Sequence, residues 1–217
     1  MTTTRIDQLS LVGGHRAIDL VNTVTPRLPE AAGEDHLLTP EDLLTWSRRT
    51  GLADDAEAAQ VAAAWAASSA AGRRALAAAT EIREAVHGVL SACLDDQRGP
   101  AMAQDQLEHL SLAWAAAIPR ARLVPAAGGT GVARWAVNSP PALLVADRIA
   151  LDAIDLLASM DVTRLARCPV EAGGCGWLFL DHSRNRSRRW CAMEDCGSGV
   201  KAKRLTERRR DTRASTP

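Results

Sequence analysis

Four of the chain's five cysteines fall in one short stretch near the C-terminus, spaced as Cys168-x6-Cys175 and Cys191-x4-Cys196 with 15 residues between the pairs. Two close thiol pairs are what a structural zinc site requires. Zinc takes four ligands in a tetrahedron and favours thiolate sulfur, so each pair supplies two vertices from one turn. The N-terminus, MTTTRIDQLS, has no apolar run of the kind that directs secretion. In a reducing cytoplasm the thiols are expected as metal ligands rather than disulfides. Four thiolates leave no open coordination position, so the one expected Zn²⁺ is structural and not catalytic.

Charge is divided along the chain. Residues 1–163 hold 13 Lys+Arg against 20 Asp+Glu, a net −7, and residues 164–217 hold 13 against 6, a net +7. A whole-chain balance of zero hides a basic end on an acidic body, a layout that suits contact with nucleic acid. Arg184, Arg186, Arg188 and Arg189 lie between the cysteine pairs, and Lys201, Lys203 and Arg204 follow them. Arginine's planar fork suits phosphate, so these seven are the candidate nucleic-acid contacts, DNA being the expected partner. No segment is long and apolar enough for a membrane span, so no membrane partner is expected.

The rest reads as a mainly helical body. Residues 11–24 fit either a short strand or a helical turn. Thr39-Pro40-Glu41-Asp42 is a strong helix start, and Gly51 ends that helix. A long helical region spans about 54–94, with a break expected near Gly72, and a further helix spans about 101–117. Two short apolar runs around a Gly-rich turn, within 120–138, predict a β-hairpin. Ser139-Pro140-Pro141 starts a last helix that ends near Met160. A short linker at about 161–167 implies that the cysteine module is docked on the body. The expected fold class is α+β: a predominantly helical N-terminal domain with a small β-hairpin (1–163), a four-cysteine zinc module of treble-clef-like form (164–210) and a tail (211–217). In GGHRAIDLVNT, residues 13–23, His15, Asp19, Asn22 and Thr23 stand close together behind a Gly-rich turn. They are either wall residues of a small-ligand pocket or polar caps of a structural element. No catalytic constellation appears.

The C-terminal stretch resembles the CGNR zinc-finger family. The likeness rests on Cys168, Cys175, GWLFLDHSRNRSRRWCAM (176–193) and Cys196-Gly197 with the Val-Lys that follows. GGHRAIDLVNT and LLTPEDLLTWSRRTGL (37–52) resemble the ABATE domain that usually precedes this finger. The resemblance implies a stress-linked bacterial transcription regulator, whose N-terminal domain senses a small-molecule effector or makes protein contacts. Here the family's Cys-Gly-Asn-Arg run reads Cys196-Gly197-Ser198-Gly199. Both cysteines remain, so zinc binding is expected to survive, but an Arg that could meet phosphate is missing. Two other readings stay open: a zinc module that docks an acidic protein surface, and a small-molecule enzyme in the N-terminal domain.

Overall fold

Helix α1 (Arg16–Val21) resolves the ambiguity at the start of the chain. His15 serves as its N-cap, its ring nitrogen accepting from the Ala17 N–H, and Asn22 closes it. The computed structural model describes residues 5–28, 31–95, 103–126 and 132–198. Strands β1 (Val24–Thr25) and β2 (Glu34–Asp35) follow as a minimal antiparallel pair. Helix α2 (Pro40–Arg49) begins at Thr39, where Thr39 and Asp42 form a reciprocal capping box. Gly51 behind it adopts φ +67°.

Helices α3 (Asp55–Ala67) and α4 (Ser69–Leu94) divide the long helical region at Ser68, not near Gly72. Ser68 is extended, at φ −145° and ψ 92°. Gly72 instead lies inside α4, where a Cβ would sit 3.2 Å from the Pro40 ring. The glycine serves close packing there and not chain reversal. Helix α5 (Gln104–Ala117) leads into the hairpin of β3 (Ala121–Pro125) and β4 (Ala133–Val137), in antiparallel register from Ala121↔Val137 to Pro125↔Ala133. Helix α6 (Pro141–Ser159) completes the body.

Helix α4 is the central element and packs on α1, α2, α3, α5 and α6. Ile82, Val86, Val89 and Leu90 line its inner side, meeting Leu110 of α5 and Val145, Ile149 and Leu156 of α6 in the buried core. Removing each such side chain from water contributes roughly 1.5–3 kcal/mol. Between the helices, ion pairs of Arg148 with Glu57 and Arg120 with Asp147 fix α6 against α3 and the hairpin entry. Strands β5 (Leu165–Arg167) and β6 (Leu178–Leu180) form the last antiparallel pair, with Leu165↔Leu180, Ala166↔Phe179 and Arg167↔Leu178. All three residues of β6 are buried, and their side chains join the core of the body without interruption. Cys93, on α4, packs at the edge of this core, and burial pushes its thiol pKa up. No helix among the described residues is long and apolar enough to cross a membrane.

Candidate metal centre and arginine loop

Strand β5 delivers Cys168, whose N–H donates to the Trp177 carbonyl at 2.8 Å. Between Cys168 and Cys175 the chain makes a tight knuckle. It turns through Val170–Ala172, passes Gly173 at φ +88°, and closes with the Gly174 N–H donating to the Pro169 carbonyl at 2.8 Å. A Cβ on Gly174 would stand 2.7 Å from Cys168 Sγ, so the knuckle closes around the sulfur only with glycine there. On the far side, Cys191 is buried, and Cys196 lies in a single π-helical turn, Met193–Gly197.

All four sulfurs lie within 4.8 Å of one another. Cys175 and Cys191 are 3.4 Å apart, and Cys191 and Cys196 are 3.7 Å apart. Sulfurs at about 2.3 Å from a tetrahedral zinc are separated by about 3.8 Å. The spacing fits zinc and is far from a disulfide bond length. The chemistry of the donor set agrees. Among the thiols themselves, S–H donation from Cys175 and then Cys191 favours the Cys168 thiolate, bringing it down to about 2, while the thiols of Cys175 and Cys191 are pushed up chiefly by Cys168. Four adjacent thiolates require a cation among them, and the four cysteines can hold one zinc ion. His182, an alternative ligand by sequence position, is exposed and outside this cluster.

His15, Asp19, Asn22 and Thr23, read from the sequence as either pocket walls or polar caps, each make hydrogen bonds within the fold. Asn22 is fully buried and brackets β6: its Nδ2 donates to the Leu178 carbonyl at 2.9 Å and its Oδ1 accepts from the Leu178 N–H at 3.0 Å. Thr23, also fully buried, donates to the Leu20 carbonyl and accepts from Arg83, which pairs through both terminal nitrogens with Asp35 at 2.7 Å. Asp19 accepts from the Gly13 N–H at 2.8 Å, and burial raises its pKa to about 6. His15 caps α1, and burial lowers its pKa. The turn that Asp19 holds in turn presents the Gly13 carbonyl to the Leu180 N–H at 2.9 Å. Two further bonds complete the docking: Trp177 Nε1 donates to the Val24 carbonyl at 3.0 Å and the Arg27 N–H donates to the Cys175 carbonyl at 2.8 Å. The motif is therefore a cradle for the cysteine module.

Two family models match this chain in tandem. The first, ABATE, described as "Putative stress-induced transcription regulator", matches residues 14–160, well over half of the chain. The second, the CGNR zinc finger, matches residues 164–209. The chain belongs to the ABATE family. Its C-terminal part is a CGNR zinc finger, and both families are regulatory or metal-binding rather than enzymatic. No curated protein matches the sequence.

Within the zinc finger, the arginines divide by direction. Arg184, Arg186 and Arg189 are exposed. Arg186 donates to Thr163 Oγ1 at 2.7 Å and lies 3.6 Å from Asp161, leaving half of its side chain in solvent. Arg189 lies over the Trp190 ring at 5.2 Å. Arg188 turns inward: its guanidinium lies 4.3 Å over Phe179 and donates to the carbonyls of Val12, Trp190 and Cys191. It ties the finger to the body, a role its charge alone does not signal. Lys201, Lys203 and Arg204 lie outside the described residues.

Asp181 organises the loop that displays these side chains and was not singled out from the sequence. Its buried carboxylate accepts from the Ser183 and Arg188 N–H groups, each at 2.8 Å, and these hydrogen bonds, led by Ser183, lower its pKa. The signal is the Asp-x-Ser start of an Asx-type turn. Trp177, which could stack on a base, is buried in the docking face.

Proposed function

We propose that this chain regulates transcription by binding DNA electrostatically through its CGNR zinc finger. The observation that carries the reading is the exposed set of Arg184, Arg186 and Arg189 on a loop pinned by Asp181 beside the cysteine cluster. The segment holding Lys201, Lys203 and Arg204 adds further positive charge to this part of the sequence. Zinc's part is structural: Cys168, Cys175, Cys191 and Cys196 would hold it, and it fixes the loop from which the arginines project. The ABATE part serves as sensor and support.

Binding of the zinc-loaded chain to duplex DNA, followed against salt, tests this. Log K should fall with log salt at about −0.9 per phosphate met. Replacing Arg184, Arg186 and Arg189 together by Ala should flatten the slope by up to about 3 units. Salt-insensitive or absent binding at low ionic strength sinks the reading and leaves an acidic protein partner as the alternative.

A further inference from the structure

A cavity of about 730 Å³ is lined by residues of both matched parts. One wall comes from the segment after α1, with Val24, Pro26 and Leu28, and from the end of α4, with Leu94. The opposite wall is Pro169 and Val170, inside the knuckle between Cys168 and Cys175. This volume falls in the usual range for small-ligand sites, about 300–1,000 Å³, and such sites favour the junction between domains.

Among the polar residues of the lining are Arg167 and His87. Arg167 is half-buried, and its guanidinium has no hydrogen bond or carboxylate partner among the described residues. Ser91 Oγ has no hydrogen-bond partner but is closed off from the cavity, so Arg167 is the group left to meet a ligand. Arg27 also lines the cavity but is already bound to Glu84 at 2.6 Å and to the Val21 carbonyl. His87 is held neutral, its pKa brought down to about 4 by burial first and then by the charges of Arg27 and Arg167. Glu84 offsets Arg27, which leaves Arg167 as the positive charge that favours an anion there. The two acids of the lining, Asp95 and Glu171, are both exposed and stand at the rim.

We propose that this cavity is the effector site and takes a small amphipathic monocarboxylate, its carboxylate on Arg167 and its apolar body against Leu28, Leu94, Pro169 and Val170. Its link to regulation rests on the reading above; its binding does not. A ligand so placed touches the knuckle directly, and it also bears on Arg27, whose N–H bonds the Cys175 carbonyl. Occupancy and the set of the zinc finger are coupled through those two contacts.

The test is calorimetric titration of the full zinc-loaded chain, without nucleic acid, against octanoate and benzoate and against their uncharged amides. At least one acid should bind with 1:1 stoichiometry, and its amide should bind about tenfold more weakly, the difference expected when a charge-assisted hydrogen bond is lost. Arg167→Met should weaken the acid by a similar factor while zinc content stays at one ion per chain. Ala32→Trp, on the exposed rim, should block binding without touching the core. The proposal is overturned if neither acid binds at about 10 mM, if the amides match the acids, or if Arg167→Met leaves affinity unchanged. Loss of DNA binding would leave all these outcomes as they are, so the two ideas fail separately.

Discussion

The helices between residues 40 and 159 are held together by side chains, whereas the segment from 165 to 198 is held by sulfur and by backbone. In the helical body, large apolar residues of α4, α5 and α6 meet each other, and each helix adds its own end signals, such as the Thr39–Asp42 capping box. The zinc finger contributes only a few large apolar residues, Leu165 and Trp177 to Leu180, and these are buried in the same core as the body. Its remaining fixings are four thiols and a set of hydrogen bonds donated or received by residues 12–27. A module with so little core of its own cannot define its fold without metal and without a template. The first 25 or so residues supply that template.

This contrast can be broken or sharpened by experiment. The largest effect should come from Cys175→Ser, which removes one ligand from a site whose apparent zinc binding energy is on the order of 10–16 kcal/mol. Metal content should drop from one ion per chain to near none, while most of the far-UV helical signal stays. Complete loss of that signal would show that the helices need the finger as much as the finger needs them. Next, Asn22→Ala leaves the Leu178 N–H and C=O without their partner and should lower unfolding free energy by about 2–4 kcal/mol in urea titrations. If zinc affinity is unchanged in that variant, the template idea is wrong.

A smaller effect concerns Asp19. Its pKa in the fold, about 6, lies above that of an unfolded aspartate, so the charged form is disfavoured by folding. The penalty is complete well above pH 6 and is lost as pH falls below about 4, where folded and unfolded chains are both protonated. Asp19→Asn should therefore raise the melting temperature at pH 7.5, by the equivalent of about 1–2 kcal/mol, and the gain should shrink on acidification. A gain independent of pH would contradict the assignment. Smallest, Thr39→Ala should cost about 1 kcal/mol by removing the α2 cap, with no change in zinc content. That outcome marks the helical body as locally adjustable, in contrast to the finger.

What the sequence discloses follows the range of the interactions. The α2 start, the hairpin, α6 and the four-cysteine cluster are legible because each is decided within a few residues: a cap beside a proline, a Gly-rich turn between apolar runs, thiols at short spacing. Gly72 misleads because a glycine in a helix can answer to a distant neighbour, here Pro40, instead of to its own backbone. The partner of Asn22 is hidden for the same reason on a larger scale, since it stands 156 residues away. Arg188 shares its charge with Arg184 and Arg189 but not its direction, which is set by Phe179 and by the carbonyl of Val12. The cavity beside the knuckle could not be anticipated, because its walls come from three separate stretches of chain.

The clamp between Asn22 and Leu178 also has a meaning in time. During synthesis the residues that receive the finger emerge first, and the strand they receive emerges more than 150 residues later. Until then the seat formed by α1 has no occupant, with Asn22 facing water and part of the apolar surface around it uncovered. The nascent chain thus carries an exposed sticky patch through most of its translation. Whether it is completed depends on the last part of the chain arriving with metal available. A cell short of zinc would accumulate not a regulator missing its finger but a helical body with an open seat, the kind of species that chaperones and proteases recognise.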